Sequence, residues 1–238
     1  MEPTALLAAL TEQGAALAAA ARNHLDRPVA PCPGWDVAGV VAHTGTVQRW
    51  AAAIVETGER APTEEPGDVS DIVGWYEEGL AALQATLAAS DPDREVWTFA
   101  ASKDRRARWW FRRMALETAV HRWDVEAATT GAAPVPAELA AAGIDEYFDD
   151  MLPRALRNPV PGIEGSLHLH SSDVDGEWLV DLSATPISVE RAHARADTAL
   201  RGPASELYLW LWNRVPAAAP LEAFGAGGVL DAWTGLHM

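Results

Sequence analysis

The stretch that most constrains this chain runs from Ala107 to Thr130 and centres on Glu117-Thr118-Ala119-Val120-His121. Its spacing predicts a helix. Trp109, Leu116, Val120, Trp123 and Ala127 form an apolar stripe, and Arg112, Arg113, Arg122 and Glu126 fall on the opposite face. Beside the stripe runs the row Trp110, Met114, Glu117, His121, Asp124, which turns three titratable groups toward the core. A carboxylate or imidazole buried there without a partner is strongly destabilising. Glu117 and His121 stand at i and i+4, so they project together one turn apart. Two arrangements satisfy them: a metal ion between them, or a hydrogen-bonded Glu–His pair with no metal.

A second helix is predicted from Asp36 to Thr57, with Val37, Val40, Val41, Val47, Trp50 and Ile54 as its stripe and Asp36 as its cap. His43 falls in line with that stripe. Helix bundles build metal sites from ligand-type groups on facing inward stripes. Two neutral imidazoles and one carboxylate suit zinc, with a fourth position left open.

The formal net charge is -16, with 18 Lys and Arg against 34 Asp and Glu, and Lys103 is the sole lysine. An acidic chain without a basic block argues against nucleic acid and anionic membranes as partners. A hydrophobic share of 49% with 11 Trp supplies a sizeable core. No uninterrupted run of about 18 apolar residues is present, and the N-terminus lacks a signal-peptide pattern. Cys32 is the single cysteine, so no intrachain disulfide forms, and a cytoplasmic protein is expected. Flanked by Pro31 and Pro33, Cys32 reads as a packed turn residue rather than a nucleophile.

In chain order, residues 4–25 are expected to form an Ala-rich helix, 27–35 a Pro- and Gly-containing turn region, and 59–69 a solvated acidic loop. A third helix is expected from Asp71 to Ala89. Residues 93–106 read as irregular and polar, ending in Lys103-Asp104-Arg105-Arg106, a solvated helix approach or a site for an anionic substrate. The fourth helix ends at Gly131, and a shorter one is expected near Pro136 to Met151. Together these make a helical domain over residues 1–155.

Pro153, Pro159, Pro161 and Gly162 then mark a linker. Beyond it, residues 166–171 and 177–183 alternate with period two around Asp173-Val174-Asp175-Gly176 and predict a hairpin. Further short strands are expected at Pro186 to Glu190 and Ala196 to Leu200, a helix at Ala204 to Trp212, and short elements at Leu221 to Phe224 and Val229 to Leu236. This is a small α+β domain over residues 163–238. His168 and His170 share one strand face; with no third ligand nearby in sequence, that face reads as solvent-exposed.

Pro33-Gly-Trp-Asp-Val-Ala-Gly-Val-Val-Ala-His43, followed by Glu117-Thr-Ala-Val-His-Arg-Trp-Asp-Val-Glu-Ala127, resembles the mycothiol-dependent maleylpyruvate isomerase family. The segment Gly202-Pro-Ala-Ser-Glu-Leu-Tyr-Leu-Trp-Leu-Trp-Asn-Arg214 is similar to that family's smaller C-terminal domain. The resemblance implies a DinB-like four-helix metal-binding bundle followed by a sterol-carrier-like α+β domain. It makes His43, Glu117 and His121 zinc ligands and mycothiol the thiol cosubstrate. It also brings Arg214 toward the site to meet a substrate carboxylate; the alternative for Arg214 is a cation at a helix C-terminus.

That ligand set implies a chemistry. Zinc held by two neutral histidines and a glutamate keeps a charge of about +1 and stabilises a bound thiolate, which adds to a small electrophile such as maleylpyruvate. Asp124 either orients a ligand histidine or binds the thiol's hydroxyls, with capping or pairing to an arginine as its structural alternative. Two other function classes stand beside this one. In a metal-dependent hydrolase, zinc activates water instead; in a non-catalytic module, the metal is structural, although structural zinc is usually four-coordinate and sulfur-rich.

Overall fold

The structure is a computed structural model that describes residues 1–155, 165–184, 187–225 and 227–234. It divides into two compact units, Met1–Val135 and Pro136–Met238.

The first unit is built on four long helices, α1 (Pro3–Ala21), α2 (Val37–Thr57), α3 (Ile72–Ala89) and α4 (Arg108–Ala128). α1 packs on α3 and α4, and α2 packs on the same two. Their ends are set by local chemistry. The Asp36 carboxylate accepts from Gly39 N at 2.8 Å, and Asp71 accepts from Gly74 N at 2.9 Å. Gly58, at φ 83°, ends α2 in the left-handed region that glycine tolerates. α2 and α3 approach closely because Gly45 has no side chain: a Cβ there would lie 2.4 Å from the Trp75 ring.

α1 reaches a mean hydropathy of 1.3 over an 18-residue window, in the range of a membrane span by length and composition alone. Much of that value comes from alanine. Leu6, Leu10, Leu17, Ala18 and Ala21 are buried within the bundle.

Two expectations for this unit are corrected. Arg113 and Arg122 do not face solvent. Arg122 is 2% exposed and donates from Nε to Gln13 at 2.9 Å and from Nη2 to Pro134 O at 3.1 Å, while its Nη1 pairs with Glu126 at 2.6 Å. It thereby ties α4 to α1 and to the chain leaving α4. Residues 93–106 are irregular, as expected, with Lys103, Arg105 and Arg106 exposed, but the segment is not wholly polar and is pinned to the bundle. Val96 N donates to Arg105 O at 2.7 Å, and Glu95 and Arg106 form a β-bridge. Trp97 and Phe99 enter an aromatic cluster with Trp50, Trp109 and Trp110. Arg105 and Arg106 are engaged locally, by Thr98 O at 3.0 Å and Asp104 Oδ1 at 3.0 Å.

The second unit opens with α5 (Ala137–Glu146), a π-helical turn at Tyr147–Met151 and α6 (Leu152–Ala155). Pro153, read as linker, lies in α6. Pro159, Pro161 and Gly162 lie outside the described residues, as do Pro186 and the end of the segment expected at Val229 to Leu236. β1 (Ser166–Ser171) and β2 (Glu177–Asp181) form the expected antiparallel hairpin, and β3 (Ser188–Glu190) extends it. β4 (Thr198–Gly202) returns parallel to β1 and pairs antiparallel with β5 (Glu222–Gly225), giving the order β3-β2-β1-β4-β5. α7 (Ala204–Leu211) follows β4, and α8 (Gly228–Thr234) follows β5.

Leu167, Leu169, Trp178, Val180 and Leu200 are buried apolar strand residues of this unit's core. α5 packs against α7, and Trp178 Nε1 donates to Asp145 of α5 at 2.9 Å. α5 therefore belongs with the sheet, and the division between units falls before it rather than after.

Candidate metal centre

α2 and α4 bring three of the expected residues together. The ligating atoms of His43, Glu117 and His121 all lie within 4.8 Å of one another. Glu117 Oε1 is 3.1 Å from His43 Nε2 and 3.3 Å from His121 Nε2. The two imidazole rings meet edge to face at 5.2 Å. The spacing has a simple local origin: Glu117 and His121 are one turn apart on α4, and His43 sits on the face of α2 that Val40 and Val41 turn inward.

The histidine tautomers bear on what belongs at the centre. His121 Nδ1 lies 3.0 Å from Asp124 Oδ2, and Asp124 is fully buried. An ionised carboxylate only accepts, so His121 carries a proton on Nδ1 and turns Nε2 toward Glu117 Oε1. Burial, then the charges of His121 and Arg113, lower the His43 pKa to about 4 against the partial opposition of Glu65, which leaves His43 neutral near pH 7. Two imidazole Nε2 atoms turned to one carboxylate oxygen are a donor set that a divalent ion takes, each Nε2 giving up any proton on binding. Four ligands at about 2.0–2.1 Å from zinc lie roughly 3.3 Å apart, close to the separations seen here. The residues fit such an ion.

The surroundings differ from the sequence reading in two respects. Arg113 binds Glu117 Oε2, one turn back along α4, so Oε1 alone is turned to the histidines. The i,i+4 spacing of Arg113 and Glu117 is a usable signal in the sequence, masked by the placing of Arg113 on the polar face of the predicted helix. Cys32 Sγ approaches Asp124 Oδ2 at 3.6 Å, so the turn cysteine borders the centre and shares a second possible ligand group with His121 and Asp124. Trp35 covers one side of His43 with ring centroids 5.0 Å apart. The His43 side chain keeps 35% of its surface exposed, against 13% for Glu117 and 11% for His121. The centre thus has one accessible edge, at His43.

The model of the mycothiol maleylpyruvate isomerase N-terminal domain matches residues 6–126, and that of the corresponding C-terminal domain matches residues 138–233. The chain belongs to the mycothiol-dependent maleylpyruvate isomerase family. It is therefore a member of an enzyme family, and its helical unit followed by a small mixed sheet is the fold of that family. A crystal structure of a mycothiol-dependent maleylpyruvate isomerase superposes with a TM-score of 0.57 at 12% identity, covering 90% of each chain. A histidine-to-alanine mutant of such an isomerase superposes with a TM-score of 0.58 at 11% identity, covering 96% of this chain and 94% of the other. No curated protein sequence matches the chain significantly. At such identities the superpositions establish the fold. The centre rests on the geometry above.

Arg214, the remaining expected site residue, lies in the second unit just beyond α7. Its backbone N donates to Leu209 O at 2.9 Å and its Nη1 to Trp212 O at 2.8 Å. Both bonds lie at the C-terminal end of α7.

Proposed function

We propose that this protein is a zinc-dependent thiol enzyme that uses mycothiol to isomerise, or to transfer sulfur to, a small electrophilic acid of the maleylpyruvate type. The observation that carries this reading is the convergence of His43, Glu117 and His121, with one accessible edge, in a chain of this family. When bound, zinc would supply the positive charge that keeps a thiol ionised at neutral pH.

The chain's own residues supply the rest. His43 and His121 offer neutral nitrogen donors, and Glu117 offers Oε1. Arg113 holds the other Glu117 oxygen, which fixes the carboxylate's orientation. Asp124 holds the Nδ1 proton of His121 and so turns Nε2 toward Glu117 Oε1, a positioning role. Trp35 shields one flank of His43 from water. Arg214 is assigned to the electrophile's carboxylate.

For a cis-enone acid, sulfur adds at the conjugated carbon as the π bond breaks. The resulting single bond rotates, and elimination restores the double bond as trans and releases the thiol unchanged. Cys32, turned to Asp124, is not the attacking sulfur, so the thiol comes from solution. A cytoplasmic setting, where small thiols stay reduced, suits this chemistry. Turnover of maleylpyruvate by zinc-loaded protein, with and without mycothiol, is the deciding experiment.

A further inference from the structure

The outer face of the sheet carries a second group of ligand-type side chains. His168 and His170 share one face of β1, and Glu177 stands opposite His170 in the register of β2. His193, from the segment linking β3 and β4, closes over them. Glu177 Oε2 lies 2.7 Å from His193 Nδ1 and 3.4 Å from His168 Nε2, and Glu177 Oε1 lies 3.1 Å from His170 Nδ1. The three rings meet edge to face, with centroids 5.6–6.1 Å apart.

An independent observation concerns His168. It is 6% exposed, and its Nε2 is buried without a hydrogen-bond partner among the described residues, although it points into this group. Leaving such a nitrogen unsatisfied is destabilising, and an ion there would satisfy it. The ligating atoms of His168, Glu177 and His193 all fall within 4.8 Å of one another. Their spacing brackets the roughly 3.3 Å expected between ligands of a tetrahedral ion. Arg201 stands beside His170 across the β1–β4 pairing, and its charge is met by Glu222 at 3.2 Å.

We propose that His168, Glu177 and His193 form a second metal site, specific for a divalent transition-metal ion of the zinc type. His170 orients the Glu177 carboxylate through Oε1, as Arg113 does for Glu117 in the helical unit. Nitrogen donors with one carboxylate exclude magnesium and calcium, which take oxygen. The bound ion clamps the 191–197 segment onto β1 and β2.

The test is zinc binding by the full chain carrying His43→Ala and His121→Ala, so that the helical centre is removed. After dialysis against zinc and removal of excess, elemental analysis should find one zinc per chain. Adding zinc should also shift the imidazole nitrogen resonances of His168 and His193 and leave those of His24 unmoved. Introducing His193→Ala as well, at an exposed position that leaves the sheet intact, should weaken zinc binding. The loss should exceed the about 10–100-fold typical of removing an outer partner. Zinc absent from the His43→Ala/His121→Ala protein, or zinc held equally well after His193→Ala, overturns the proposal. Either result stands apart from the fate of the helical centre, which is read from the zinc difference between wild type and the His43→Ala/His121→Ala chain.

Discussion

Arg113 grips one oxygen of Glu117 from a single turn away on α4, and the other oxygen is left facing His43 and His121. The pair turns a flexible carboxylate into a directed single-oxygen donor, and both side chains are nearly buried. Arg113→Leu should therefore disorder Glu117 and weaken zinc binding by about 10–100-fold, the usual effect of losing an outer partner. Competition with a chromophoric chelator measures this directly. Unchanged zinc affinity would show that the arginine merely fills space.

His43→Ala and His121→Ala should each remove most of the zinc from the helical centre, because two remaining ligands hold the ion poorly. The bundle should stay folded, since Val40, Val41, Leu116 and Val120 are buried without the metal's help. Elemental analysis alongside far-ultraviolet circular dichroism separates the two effects. Full occupancy of that centre in either variant would remove the mutated residue from the ligand set.

The metal-free protein should lose stability on mild acidification through His43. Its folded pKa of about 4 lies below the ordinary 6.5 because burial, His121 and Arg113 disfavour the charged ring. Between those two values the unfolded chain binds more protons at this residue than the folded one does. Stability from this source is therefore complete above 6.5 and falls as the pH drops toward 4. Urea midpoints of chelator-treated protein at about pH 7.5 and about pH 5 should differ less in His43→Gln than in wild type. Equal differences in the two proteins would contradict the burial argument.

The elements that periodicity fixes were legible in the chain. The stripes of α2 and α4 give the helical phase, and that phase brings His43 to Glu117 and His121; the alternation on either side of Gly176 gives the β1–β2 hairpin. What remained hidden depends on partners far away in sequence. An amphipathic helix such as α5 has an apolar face either way, and only α7 determines which unit it joins. Arg122 reads as a surface cation until Gln13 and the carbonyl of Pro134 arrive to bury it. His168 and His170 read as an exposed strand face because Glu177 comes from the neighbouring strand and His193 from a loop.

Arg214→Ala should leave zinc content unchanged and impair turnover of an anionic electrophile, through a raised KM or a lowered kcat. A lost charge-assisted hydrogen bond is typically worth about 1.5–3 kcal/mol, roughly one to two orders of magnitude in kcat/KM. An uncharged electrophile should be affected much less. If kcat/KM for the acid is unchanged, Arg214 serves only to close α7 through Trp212 O.

Thiol dependence decides the chemistry. A site of charge about +1 should hold a bound thiol ionised well below its free pKa of about 8.5. Turnover should be nil without added thiol and should saturate as mycothiol is raised. Chelator-treated protein should be inactive and should recover on adding zinc, in parallel with the return of metal to His43 and His121. Cobalt-substituted protein should change its ligand-field spectrum when thiol is added. A hydrolase built on the same three ligands would behave oppositely, because water would take the accessible position beside His43 and thiol would displace it. Turnover that is abolished by removing zinc, proceeds without thiol and is inhibited by thiol would replace the thiol-dependent reading with the water-activating one.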